Sequence, residues 1–134
     1  NTNSGSSDIF LVKYYDNGTK QWTKQLGTSS SDTGNEVTVD SSGNVYVTGY
    51  TQGGLDGTNA GNSDLFVVKY NSSGTKQWAK QLGTSSNDYA TGVATDSSGN
   101  VYVTGNTSGE LDGNTNSGST DIFLVKYNSS GTKQ

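Results

Sequence analysis

Residues 64–83 read DLFVVKYNSSGTKQWAKQLG, and the order of apolar and polar residues in them decides the fold. The run DLFVVKY is almost continuously apolar and rich in β-branched and aromatic side chains, which predicts a strand covered on both faces. NSSG follows as a turn. A closely similar stretch, DIFLVKYYDNGTKQWTKQLG, stands at residues 8–27, where Trp22, Lys24 and Leu26 alternate with Gln21, Thr23 and Gln25. That alternation predicts a strand with only one, partly dry, apolar face, as an outer edge strand should have.

Working outward, residues 8–57 laid over 64–113 agree at 34 of 50 positions, so the chain is a tandem repeat of about 56 residues. A third copy begins at Asp121, 57 residues after Asp64. The extra residue falls between LDG and GSTD, where a loop absorbs it. The chain also closes on its opening words: residues 1–21 and 114–134 agree at 17 of 21 positions.

Each repeat offers four strand candidates. Strand a is NEVTVD at 35–40 and TGVATD at 91–96, followed by SSGN, whose Gly and Asn suit a tight hairpin turn. Strand b is NVYVTG at 44–49 and 100–105; strand c is DIFLVKY at 8–14 and 121–127, or DLFVVKY at 64–70; strand d covers 19–27 and 75–83. Four antiparallel strands per repeat of about 50 residues is the blade signature of a β-propeller. The expected fold class is therefore all-β, as four-stranded antiparallel meanders, with about two and a half blades. The blades divide the chain into 1–34 (c and d), 35–90 (a to d with its loop) and 91–134 (a to c and the start of d). A propeller closes with about four to eight blades. The expected partners are accordingly further blades, from a longer chain or from identical chains in a closed oligomer or filament; the fragment is the favoured reading.

The spacing GVATDSSGNVYVTG…LDG…DLFVVKYNSSGTKQWAKQLGTSSND resembles the bacterial SBBP β-propeller repeat and, more distantly, NHL-type blades. The resemblance covers essentially the whole chain. It implies proteins that are mostly secreted or surface-attached, defined by their repeats and not by one activity.

Composition agrees with thin sheets. Ser, Thr, Asn and Gly supply 71 of the 134 residues, only 28% are hydrophobic, and Pro, Cys, Met, His and Arg are absent. The net charge of −4, with eight Lys and no Arg, offers no basic stripe for nucleic acid. No apolar run approaches the roughly 20 residues of a membrane helix, so no membrane insertion is expected. The first residues lack the regions of a signal peptide, and the chain reads as mature or excised. With neither His nor Cys there is no common triad base or thiol nucleophile, so no enzyme is expected.

In a meander the a–b and c–d turns share one end of the sheet, and the longer b–c and d–a loops share the other. The long-loop end is the expected ligand face, carrying Asp32, Asp56, Asp88, Tyr89 and Asp112. Asp56 and Asp64, with Asp112 and Asp121 in the next repeat, form oxygen-rich loops that a hard cation such as structural Ca²⁺ could use. Asx turns account for the same residues without metal. Trp22 and Trp78 recur at one strand position, which points to packing between blades more than to sugar stacking. Asn17, Asn71, Asn106 and Asn128 stand in Asn-x-Ser/Thr sequons, candidate glycosylation sites whose words are also ordinary turn words. The functional expectation is a secreted or cell-surface structural or adhesive scaffold binding surface proteins. The alternative is a lectin-like module binding glycans on the long loops.

Overall fold

The structure, a computed structural model, describes residues 2–134. Among the described residues, nine strands form three antiparallel sheets. The first holds β1 (Ile9–Tyr14) and β2 (Lys20–Leu26); the second holds β3 (Asp32–Val39), β4 (Val45–Thr51), β5 (Asp64–Tyr70) and β6 (Lys76–Leu82). The third holds β7 (Asp88–Thr95), β8 (Val101–Thr107) and β9 (Asp121–Tyr127). Every strand pairs with its neighbour in sequence, so each sheet is a meander, and a bridge from Tyr127 to Lys133 starts a fourth strand on the third sheet.

The sheets stack face to face, and the period of two in strand c explains how. In β5, Leu65 and Val67 point into an apolar layer with Tyr46, Val93, Val101 and Val103, between the second and third sheets. Phe66 and Val68 point the other way, into a layer with Ile9, Val45 and Val47, against which Leu11 and Trp22 pack. All four of these β5 side chains are fully buried, each contributing about 1.5–3 kcal/mol relative to exposure. The continuous apolar run is thus the mark of a middle layer. The identical strands at the two ends of the stack have one uncovered face, which leaves Phe10, Ile122 and Leu124 exposed.

Strand a begins earlier than its sequence predicts, at Asp32 and Asp88 instead of residues 35 and 91. A bulge between Gly34 and Glu36, repeated between Ala90 and Gly92, inserts an extra residue and breaks the alternation that marks a strand in sequence. Before the bulge, Asp32 pairs with Thr51 and Asp88 with Thr107. The backbone comes close there: a Cβ on Gly49 would stand 1.9 Å from the Thr33 carbonyl oxygen, and one on Gly105 the same distance from that of Tyr89.

Candidate binding face

The expected ligand face is built on carboxylates turned inward. Asp32 and Asp88, read from sequence as residues of the ligand-face loops, are buried at the head of β3 and β7. Asp32 accepts hydrogen bonds from the Thr28 N–H at 2.6 Å, the Thr28 hydroxyl at 3.0 Å and the Thr51 hydroxyl. The Thr51 oxygen in turn accepts from the Gly53 N–H at 3.0 Å. Thr84, Asp88, Thr107 and Gly109 repeat the arrangement one blade on. Each network ties a d–a loop to the start of a b–c loop, and its carboxylate has no face left for a ligand. A buried carboxylate must be hydrogen-bonded, and these threonines do it. Tyr89, expected in the same loop, lies in β7 and packs edge-on against Tyr50 of β4, with ring centroids 4.7 Å apart.

A second carboxylate network sits at the head of strand c. Asp64, also buried, accepts from the Ala60 N–H at 2.8 Å and from the Gln81 side-chain amide at 2.8 Å. Gln81 also donates to the Gly53 carbonyl at 3.0 Å, and its oxygen accepts from the N–H groups of Leu55 at 2.8 Å and Asp56 at 3.2 Å. One outer-strand glutamine therefore holds the whole b–c loop of the second blade. Gln25 reaches Asp8 in the same way at 3.0 Å. The other oxygen of Asp64 lies over Gly83, where a Cβ would come within 2.1 Å of it. Sequence reading missed Gln81, although its recurrence in KQLG at residues 24–27 and 80–83 was a usable signal.

The four residues read as calcium candidates do not converge. Asp56 is exposed and pairs with Lys80 at 3.7 Å, while Asp64 binds Ala60 and Gln81 through one oxygen and its other, buried oxygen has no hydrogen-bond partner. Asp112 pairs with Lys133 from a left-handed backbone position, φ 59°, in a short 3₁₀ turn at Leu111–Gly113. Asp121 accepts from the Ser117 N–H at 2.7 Å. Among the described residues, no three His, Cys, Asp or Glu side chains are grouped to hold a metal ion.

The short-turn end is used for packing. Asp40 caps its turn, accepting from the N–H groups of Ser42 and Asn44, the Asn44 amide and the Tyr46 hydroxyl. Burial pushes its pKa up, but Asn44, Tyr46 and Ser42 together outweigh this and hold it below the usual carboxylate range. Asp96 is lowered too, chiefly by Asn100. Burial, and then Asp40, raise Tyr46; burial, with Asp112 and Asp56 nearby, pushes Tyr127 up to about 12. The indole N–H of Trp22 donates to the Ser72 carbonyl at 3.1 Å, and that of Trp78 to Ser129 at 3.2 Å, so each tryptophan clasps the turn of the next blade. Of the sequon residues, Asn17 and Asn106 are exposed, whereas Asn71 and Asn128 are half-buried with their side-chain oxygens capping the c–d turn.

Stacked antiparallel sheets, one of them a complete four-stranded meander, with Trp clasps at one end and stapled polar loops at the other, define a β-propeller repeat protein. The chain belongs to the SBBP β-propeller repeat family, whose pattern matches residues 21–56 and 77–112. It is 31% identical over 97% of its length to the regulatory protein FlaEY of Caulobacter vibrioides, of which it spans 15%. It is 32% identical over 96% of its length to an uncharacterized WD repeat-containing protein of Acanthamoeba polyphaga mimivirus, of which it spans 10%.

Proposed function

We propose that this chain is part of a non-catalytic, secreted or cell-surface scaffold with a structural or adhesive role, which contacts other proteins through its b–c and d–a loops. The observation that carries the reading is the duplicated loop frame. The Thr28–Asp32–Thr51 and Thr84–Asp88–Thr107 networks fix the same loops in successive blades and leave exposed positions such as Gly54, whose counterpart is Glu110, to vary on a rigid support. Names of the relatives, a regulatory protein and a WD repeat-containing protein, accord with a role in protein interaction.

The lectin alternative receives less support. Loops 52–63 and 108–120 contain no Phe, Tyr or Trp, and Tyr89 is occupied by Tyr50, so these loops carry no aromatic platform for a sugar ring. The test is capture of surface proteins by the immobilised chain. Replacing exposed residues of 54–58 and 110–115 with Ser should abolish capture, and replacing Ser41 and Ser97 should not. Equal capture by both variants would remove the loops from the function, and binding on a glycan array would transfer the reading to the lectin. Protease shaving of intact cells checks the location: a chain that survives it untouched is not on the surface.

A further inference from the structure

The two copies of strands a and b are not equally faithful along their length. Residues 40–49 and 96–105 are identical at all ten positions, whereas residues 33–39 and 89–95 agree only at Val37 and Val93. The constant stretch holds the capping Asp40 and the packing residues Tyr46 and Val47, and the one constant position of the changing stretch, Val93, is buried between blades. In a stack of repeats a position that serves packing must recur with the blade, so a position that changes is released for other contacts. The changing stretch is the bulge at the head of strand a, and a bulge re-aims side chains out of a sheet's regular alternation. Tyr50, opposite Thr33, changes with it, for its counterpart is Asn106.

These changing residues meet in the seam between the second and third sheets, where strands stand on both sides. The Asn35 amide donates to the Ala90 carbonyl at 2.7 Å, and Tyr50 meets Tyr89 edge-on. Glu36 stands opposite Thr48, one row from Tyr50 on the same face of the sheet. Its carboxylate reaches toward Gly92, where a Cβ would come 3.6 Å from Glu36 Oε2 and 2.8 Å from Thr104. The same repeat position is therefore glutamate on one side of the seam and glycine on the other. Glu36 is exposed, and among the described residues it pairs with no lysine. Both tyrosines are half-buried, so part of each ring is open to solvent on the seam that carries this carboxylate.

Charge is segregated in the same sense. All eight lysines belong to strands c and d, whereas residues 28–63 and 84–120, which hold strands a and b with their loops, carry eight carboxylates and no lysine. Six of the eight are engaged: Asp32 and Asp88 by threonines, Asp40 and Asp96 by their turns, Asp56 and Asp112 by lysines of strand d. Glu36 and Glu110 remain, and only Glu36 has aromatic rings on its seam. We propose that Glu36, Tyr50 and Tyr89 form a docking site for a lysine or arginine side chain on a basic segment of a partner protein. The Glu36 carboxylate takes the charged head, and the two rings take the guanidinium plane or the methylene stem. Thr33, Gly92 and Asn106 at the matching repeat positions offer neither ring nor charge, so the site belongs to this seam and not to every blade. It rests on the preceding reading only in that the partner is a protein, and it places the contact beside the loops, not on their tips.

A fluorescein-labelled peptide of alternating lysine and serine, titrated with the chain and followed by anisotropy, tests the site. At physiological salt, where exposed charges more than about 8 Å apart are screened, the chain should bind it saturably and should not bind a peptide of alternating glutamate and serine. Glu36→Gln should weaken binding about tenfold, the loss expected of one charge-assisted hydrogen bond. Tyr89→Thr, which matches the other repeat at this position, should weaken it at least about threefold. Unaltered far-UV circular dichroism shows that both variants are folded. Asp16→Asn removes the same charge from an exposed c–d turn and should leave the affinity unchanged. The proposal is overturned by a lack of saturable binding, by equal losses for Glu36→Gln and Asp16→Asn, or by a Tyr89→Thr affinity equal to the parent's. Capture of surface proteins that the loop variants lose and Glu36→Gln retains overturns it too, and leaves the loop reading standing. Capture that Glu36→Gln loses and the loop variants retain supports the seam and removes the loops.

Discussion

Replacing Gln81 by Leu keeps much of the side-chain volume and removes all four of its hydrogen bonds to the b–c loop and Asp64. The bond to the Asp64 carboxylate is charge-assisted and worth about 1.5–3 kcal/mol, and Asp64 is too buried for water to replace it. The three bonds to Gly53, Leu55 and Asp56 contribute about 0.5–1.5 kcal/mol each in general, but exposed Asp56 and its neighbours recover part of that from solvent. The expected loss is about 3 kcal/mol, a fall in Tm of roughly 10 °C for a domain of this size. Urea unfolding followed by the fluorescence of Trp22 and Trp78 measures it. Gln25→Leu is the internal control: Gln25 bonds only Asp8, which is more exposed than Asp64, so about 1 kcal/mol is expected there. Gln81→Glu extends the test, because it sets a second carboxyl against Asp64 with no proton to share at neutral pH. The introduced carboxyl then has a folded pKa above its unfolded value, so stability is fully present below the ordinary carboxyl range and lost as pH rises. A Gln81→Leu variant within about 0.5 kcal/mol of the parent, the scatter expected of a surface change, would refute the claim that this residue holds the loop.

Four further outcomes are expected. Gly105→Ala should cost several kcal/mol, at least about 3, because its Cβ would stand 1.9 Å from the Tyr89 carbonyl oxygen, while Gly118→Ala, with open space around it, should leave the denaturation midpoint unchanged. Trp78→Phe should lose about 1 kcal/mol with the bond to Ser129, and Trp78→Ala about 3–5 kcal/mol, as read by thermal unfolding; equal losses would show that the hydrogen bond, not the packing, matters. Asp40 has a lowered folded pKa, so its contribution is present above the unfolded value of about 3.9 and lost as pH falls through the folded one; Asp40→Asn should flatten the acid limb of a stability-against-pH curve. Tyr127 has the opposite sign: its folded pKa of about 12 lies above the unfolded value, so its contribution is present in neutral solution and lost between roughly pH 10 and 12, and Tyr127→Phe should move alkaline unfolding upward.

What could be read before the structure, and what could not, divides by the range of the interactions. The repeat offset, the c-strand run at 64–70 and the hairpin turns are local patterns, and the structure places β5 on those same residues. The packing of Trp22 and Trp78 was legible from their recurrence, since a residue that repeats with the blade serves the contact between blades. Asp32 and Asp88 were not legible, because sequence presents them as polar loop residues. Only the bulge at Gly34–Glu36, and a threonine 19 residues away, turn them inward. The partners of the calcium candidates were not legible for a related reason. Asp56 and Asp64 are close in sequence, but Lys80 and Gln81 on the adjoining strand, 24 and 17 residues away, are the side chains that bind their carboxylates.

By itself, the sequence determined the repeat, the strand content and the order of blades, because a side-chain period of two and the chemistry of Gly and Asn turns act over a few residues. Tertiary structure alone decided which polar groups are buried and which faces of identical strands are covered. Phe10 and Phe66 occupy the same position of the same strand word, yet one is 76% and the other 0% exposed. Burial belongs to the neighbouring blade, and no reading of a strand's own residues can supply it.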